Sequence, residues 1–410
     1  MTIFPLPLTQ MLGPIGAYAV FLVIGFSFGY VLEIAGFGNS PKLAAQFYFK
    51  DLTVLKVMFT AIIVAMVGVF LSAAVGLLDY NMIWVNPTYL WPGIVGGLIM
   101  GVGFIVGGFC PGTSLVAAAT LKVDGIFFAL GVMAGILAFG ESVSQFTDFF
   151  YSSYMGRFTL MDLFNTSTGV IVVGVVLMAL FMFWGGEKLE QLIGKQNAKT
   201  WPRWRYAAAL GLVVIAVGVL VLGQPTNVDR WHQIAAEKQR LLYDRAVQIH
   251  PGELLSLRDD SKIKLVMLDV RSEADYNIFH LLDANHAPLS NILSFVPNMI
   301  LEPANTVFVV MSNDEKAATQ AWKTLVAEGV PNVYILQGGI NNWLSLFGYV
   351  EFANAGRLAA LSEDTFNYEF EAAVGARHPA ADPEADLFEL FFVPKVELEI
   401  KRGPSAGGCG

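Results

Sequence analysis

The sequence predicts a polytopic α-helical membrane part with broken helices, followed by an α/β domain built on a parallel sheet. Three observations predict it. The composition is split, six apolar stretches fall in the first half, and strand-like and helix-like patterns alternate in the second. Over 410 residues the chain is 55% hydrophobic and 14% charged, with a mean hydropathy of +0.56. That is too apolar for one soluble domain and too charged for a chain made only of spans. Residues 1–224 hold 10 Lys or Arg against 9 Asp or Glu, and residues 225–410 hold 15 against 25. A near-neutral part therefore precedes an acidic one. The expected division is a membrane part at 1–224, an α/β domain at 225–350 and an extension at 351–410.

Composition also excludes some functions. With a net charge of −9 and no basic patch, nothing favours the release of counterions from nucleic-acid phosphates. Two cysteines cannot build a disulfide framework. All five histidines lie beyond residue 225, which rules out a bis-histidine haem inside the membrane part. No metal and no cofactor is expected.

The first residues, MTIFPLPLTQMLGPIG, lack a basic leader region and read as the start of an uncleaved span. Apolar stretches follow at about 11–33, 55–78, 93–121, 125–145, 167–186 and 206–222. Most approach the roughly twenty residues that cross a bilayer as a helix. Trp84, Tyr89, Trp91, Trp184, Trp204 and Tyr206 stand at their edges as interface anchors. With the N-terminus outside, the inner loops carry Lys42, Lys50, Lys56, Lys122, Lys188, Lys195, Lys199, Arg203 and Arg205, and the outer loops only Arg157. This bias places six crossings with the N-terminus and the C-terminal domain on the periplasmic side of a bacterial inner membrane. A re-entrant third stretch would reverse the side of the domain. Glu33 and Glu141, at span ends, are candidates to face the bundle.

The third stretch is the unusual one. Gly93, Gly97 and Gly101 repeat every fourth residue, as do Gly103 with Gly107 and Gly108 with Gly112, a spacing that allows close helix approach. Within it lies GGFCPGTS. Pro111 breaks a continuing helix but fits the first turn of a new one. The reading is Cys110 near an N-cap and a half-helix through about Thr120. Such a terminus presents free N–H groups and positive dipole charge, which favour an anion or a thiolate. Thr113 and Ser114 add hydroxyls. The plainer alternative is that Cys110 is a small packing residue. A fainter counterpart, Gly36-Phe37-Gly38 followed by Asn39 and Ser40 as cap candidates, ends the first span. Two broken elements facing one another suit an inverted-repeat transporter.

On these motifs, FGYVLEIAGFGNS, FYFKDLTVLKVMF at Phe47–Phe59 and GGFCPGTS, residues 11–222 resemble the YeeE/YedE sulfur-transport family. The resemblance implies movement of thiosulfate or related sulfur species along a narrow, cysteine-lined path. It marks Cys110, with Pro111, Gly112, Thr113 and Ser114, as the substrate path, and Gly36, Phe37 and Gly38 as its second element. It also implies a cysteine at the third position of that element, where this chain has Gly38. The sulfur is expected either to pass through as the anion or to ride on Cys110 as a persulfide.

In the second half, RWHQIAAEKQRLLYDRAVQI gives an amphipathic helix, and IKLVMLDVRSEADY a buried strand ending in a polar turn. Residues 305–343 then give strand, loop, helix, strand, Gly-Gly and helix, the βαβ logic of a parallel sheet. Residues 229–350 resemble a rhodanese domain through Asp269 and Arg271 of DVR, and Gly338, Gly339 and Trp343 of GG…W. The resemblance places the catalytic loop after the strand at Val307–Met311. There Ser312 stands in place of the nucleophilic cysteine, followed by Asn313, Asp314 and Glu315. A hydroxyl cannot form the persulfide that sulfur transfer needs. The domain is therefore expected to be a degenerate, non-catalytic docking fold.

The alternation in KVELEIK predicts a strand laid against that sheet. The end, RGPSAGGCG, carries Cys409 between glycines. It resembles the GGCGG arm of the periplasmic carrier of thiosulfate oxidation, which implies a sulfur carrier. The favoured function is uptake or transmembrane handling of thiosulfate or persulfide sulfur, with a periplasmic sulfur-carrier protein as a candidate partner. The alternatives are an accessory or docking subunit of a larger membrane enzyme complex, or a sulfur carrier acting through Cys409. The sequence leaves the oligomeric state open.

Overall fold

The computed structural model describes residues 8–83, 85–193 and 204–351, with Phe4, Leu6, 356–357, 363–370, Pro383 and 391–398. Cys409, Trp84, Lys195, Lys199 and Arg203 lie outside the described residues. The chain forms two compact units, one running through Gln224 and the other starting at Pro225.

Among the described residues, six helical stretches of the first unit are long and apolar enough to cross a membrane. The first span is α1 (Leu8–Ile34), kinked at Gly13 and Pro14. The short α2 (Ser40–Ala44) leads to the second span, α3 (Thr53–Ala74). The third is two helices, α4 (Leu90–Gly107) and α5 (Pro111–Ala119). The fourth joins α6 (Val123–Ser142) to α7 (Thr147–Phe150) through one 3-10 turn. After α8 (Leu160–Phe164) come α9 (Thr168–Leu192) and α10 (Trp204–Leu222).

These spans are apolar all round, as helices facing hydrocarbon must be. Val106, Phe127, Leu137 and Val221 accordingly point outward. Ile63, Val67, Val172, Val176, Ala179, Ala216 and Val219 form one core, binding α3, α9 and α10 together. Gly169 allows the closest approach there, because a Cβ on it would lie 2.5 Å from Leu220 Cα. The glycine repeat of α4 meets little of its own chain. Gly93, Gly97, Gly101 and Gly103 have nothing within 4 Å of a built Cβ, since no residue of α4 is buried. Close approach occurs only at the end, where Gly107 meets Phe128 and Gly108 meets Ser40. Glu141 is exposed and does not face the bundle.

In the second unit, α11 (Asn227–Tyr243) starts from a Thr226–Asp229 capping box. Its Trp231 meets Trp322 edge to face, and Asn227 bonds to Thr324 and Glu328. Next come β1 (Gln248–Ile249), α12 (Pro251–Asp259), β2 (Lys264–Asp269), α13 (Glu273–Ile278), β3 (Asn285–His286) and α14 (Val296–Ile300). β4 (Thr306–Met311), α15 (Lys316–Ala327), β5 (Val333–Leu336) and α16 (Gly339–Glu351) follow. The five strands form one parallel sheet in the order β1-β5-β4-β2-β3. β4 is buried at every position, as a central strand covered on both faces is.

The strand expected at KVELEIK, of which Glu399, Ile400 and Lys401 lie outside the described residues, is absent over 391–398, which forms no ladder. Side chains hold the segment instead. The buried Glu253 carboxylate accepts the N–H groups of Lys395 (2.7 Å) and Val396 (2.9 Å). The Tyr334 hydroxyl bonds the N–H and carbonyl of Glu397, both at 2.9 Å. These groups satisfy backbone that a neighbouring strand would otherwise pair.

Candidate functional site

The third span breaks where Gly108 takes φ +71, a left-handed conformation open to glycine. Cys110 is extended and caps α5, with Pro111 at the first helical position. The cap is reciprocal. Cys110 N–H donates to Thr113 Oγ1 at 3.0 Å, and Thr113 N–H donates to Cys110 Sγ at 3.4 Å. Thr113 Oγ1 also lies 3.3 Å from the sulfur, and Ser114 Oγ donates to the Pro111 carbonyl at 2.7 Å. Thr113 and Ser114 are buried, while Cys110 and Gly112 are half-buried.

The first turn has the same beginning. Gly36 has φ +81, and Phe37, like Phe109, is buried. Both phenylalanines belong to one cluster with Leu43, Val54 and Ala117. A Cβ on Gly108 would stand 3.0 Å from Ser40 Cβ, so the two turns touch. The capping differs from expectation in one respect. Asn39 takes the N-cap position of α2 without a side-chain bond, and Ser40 donates instead to Asp124 at 2.8 Å. Sequence reasoning missed Lys122, whose Nζ lies 2.9 Å from Glu33 Oε1 beside this turn. Its only signal was that a single lysine follows α5.

The loop after β4 is a second constellation. Arg271 forks onto Asp269, both fully buried, with Nη2 at 2.6 Å from Oδ2. Its Nη1 reaches Asn313 Oδ1 at 3.1 Å and so fixes the loop. Ser312 is completely buried, and its Oγ accepts the Ala318 N–H at 3.2 Å. Gly339, at φ +60, has to be glycine because a Cβ there would lie 2.0 Å from the Asp314 carbonyl. Gly338, at φ +68, lies against Asn342, and Trp343 is buried in the core.

The acidic side chains of the loop turn inward. Asp314 accepts from Asn341 Nδ2 and from the Asp364 N–H, and Glu315 accepts the Gly338 N–H at 2.7 Å. The anion that enters the loop is the chain's own. Asp364 Oδ1 accepts the Asp314 N–H at 2.7 Å, and Oδ2 accepts the Ala317 N–H at 2.6 Å, at the start of α15. Phe366 covers Arg271 with its ring and stacks on Phe279. Nothing in the sequence around Asp364 marks it as a loop ligand.

Known proteins match both units. The family model for sulphur transport matches residues 36–243, and that for the rhodanese-like domain matches residues 250–346. The thiosulfate sulfurtransferase GlpE of Pseudomonas entomophila (strain L48) is 28% identical over 100 residues, covering 24% of this chain and 86% of that protein. The solution structure of a rhodanese-like domain from Anabaena sp is 20% identical and covers 32% of this chain and 98% of that one, with a TM-score of 0.23. With six helices fit to span a membrane, and with just over half its length matched by the first model, this multi-pass chain belongs to the sulphur transport family and carries a rhodanese-like domain behind its membrane part.

Proposed function

We propose that the membrane unit takes up thiosulfate or a related sulfur oxyanion from the periplasm across the bacterial inner membrane, with Cys110 as the sulfur-handling residue. One observation carries this reading. The third span is broken so that a half-buried thiol caps a nine-residue helix, with Thr113 donating to its sulfur. Broken backbone inside a bilayer is tolerated where protein buries it or where it lines a polar route. A dianion entering such a route loses hydration, and N–H, hydroxyl and thiol donors offset part of that cost. In the covalent variant, the Cys110 thiolate attacks the sulfane sulfur of thiosulfate. The S–S bond of thiosulfate breaks, sulfite leaves with the electron pair, and a persulfide anion remains on the protein.

Uptake of thiosulfate labelled in its sulfane sulfur tests the proposal. Cys110→Ala is expected to abolish uptake at unchanged protein level. Cys110→Ser keeps a hydroxyl but cannot form a persulfide, so uptake by that variant selects passage of the intact anion. Normal uptake in Cys110→Ala refutes the proposal.

A second reading, that the rhodanese-like domain docks partners without chemistry, is favoured by the buried Ser312 and by the Asp364 carboxylate in its loop. The candidate partners are a periplasmic sulfur-carrier protein and a larger membrane complex. Deleting 229–350 should then release co-purifying proteins while leaving uptake intact. Cys409 as a carrier rests on its sequence context alone, and mass spectrometry of the C-terminal peptide after thiosulfate feeding tests it.

A further inference from the structure

The glycines of the first turn leave room for lysines. A Cβ built on Gly36 would lie 2.8 Å from Lys42 Nζ and 3.0 Å from its Cδ. One built on Gly38 would lie 2.9 Å from Lys122 Nζ and 2.3 Å from Glu33 Oε2. Gly36 needs its left-handed φ of +81, but Gly38 is not among the positive-φ residues. The backbone at 38 would accept a side chain, so what glycine provides there is the space in which Lys122 and Glu33 meet.

Among the described residues, neither ammonium is used up. Lys42 donates to the Ala35 carbonyl at 2.8 Å, and Lys122 to Glu33 Oε1 at 2.9 Å. An ammonium has three N–H donors. Lys42 is half-buried and the Lys122 side chain is 37% exposed, so both retain access. Among the described residues Glu33 Oε2 is buried without a partner, so this carboxylate is only half satisfied by Lys122. The remaining charge at the turn, Asp124, has its own donors in Ser40 Oγ (2.8 Å) and the Gly125 N–H (3.1 Å). The turn thus presents two cations over one poorly held counter-ion. It touches the Cys110 turn through Gly108 and Ser40. The two turns match in their left-handed glycines and in their buried Phe37 and Phe109, but at the third position one has a thiol and the other has Gly38 under Lys122.

We propose that Lys42 and Lys122, lying over Gly36 and Gly38, form an anion station for the sulfur oxyanion handled at Cys110, with Glu33 as the counter-ion that the oxyanion displaces from Lys122. The proposal rests on the Cys110 reading, since the station receives the same substrate. A dianion can replace Glu33 on Lys122 while drawing on the unused donors of Lys42, and charge-assisted bonds of this kind are the strong ones.

The test is thiosulfate uptake by the full chain, at protein levels matched by immunoblot and with size-exclusion of the purified variants. Lys122→Gln and Lys42→Gln are each expected to raise the half-saturating thiosulfate concentration about tenfold or more, the scale of one lost bond to a charged group. Lys122→Arg keeps near-normal uptake, and Glu33→Gln lowers the half-saturating concentration. The double variant Glu33→Gln/Lys122→Gln strands no charge and decides between the two roles of the pair. Uptake as weak as in Lys122→Gln supports the station, and recovery to the wild-type value shows a merely structural pair and overturns it. If Cys110→Ala abolishes uptake while the lysine variants behave as wild type, the station falls and the Cys110 path stands. If the lysine variants fail while Cys110→Ala transports normally, the station stands and the Cys110 reading falls.

Discussion

Replacing Asp364 by alanine removes the carboxylate that closes the rhodanese-like loop. In the wild type it accepts the N–H groups of Asp314 at 2.7 Å and Ala317 at 2.6 Å, and its own N–H returns to Asp314 Oδ2 at 3.0 Å. Bonds to a charged group contribute about 1.5–3 kcal/mol each. Two that share one carboxylate do not add fully, so the local opening free energy should fall by about 3 kcal/mol. That is a roughly hundredfold faster exchange of the amides they protect. Asp364→Asn keeps one acceptor and should lie between alanine and wild type. Hydrogen exchange of the full chain, followed by mass spectrometry of peptides spanning 312–318 and 363–370, reads the effect. Unchanged exchange in Asp364→Ala would refute the view that this acid holds the loop. An asparagine variant identical to wild type would show that charge is not what matters.

Two further outcomes follow from the same domain. Ser312→Cys alone should leave thiosulfate sulfurtransferase activity at background, because position 312 is fully buried and Asp364 takes the loop donors. Activity in that single variant would contradict the sealed loop, and Ser312→Cys combined with Asp364→Ala is where activity should first appear. His250 is held below its ordinary pKa, first by burial and then by Lys395, against the opposing pull of Glu253. Its Nδ1 accepts the Gly252 N–H at 3.0 Å, which only the neutral ring can do, and its ring stacks on Phe392. A histidine with a depressed folded pKa contributes stability that is fully present above the unfolded value of about 6.5 and is lost as pH falls below it and through the lowered folded value. Thermal unfolding of the full chain should show this loss below about pH 6.5, and His250→Asn, which retains a cap acceptor, should flatten it.

Local rules carried much of the fold. Pro111 after Cys110 marked the break in the third span, because proline stops one helix and starts another wherever it stands. Val307–Met311 was legible as a strand, and it forms most of β4. The glycine repeat of α4 permits a close neighbour without supplying one, and among the described residues none lies within 4 Å of a Cβ at Gly93, Gly97, Gly101 or Gly103. KVELEIK alternates like a strand, yet Glu253 and Tyr334 bond its backbone where a sheet edge was expected. No pattern within seven residues can reveal partners so distant in the chain.

The candidate sites divide in the same way. The capping of α5 by Cys110 was legible because its partner, Thr113, is three residues away. Sequence by itself determined the six spans, the parallel α/β domain and the broken third span, because each depends on period or proline within a short window. Tertiary structure alone decided that Lys122 meets Glu33 across 89 residues, that Gly38 makes the room for them, and that Asp364 fills a loop 50 residues before it. The physical reason is that a charge or an acceptor finds its partner by distance in space, and only the folded chain sets that distance.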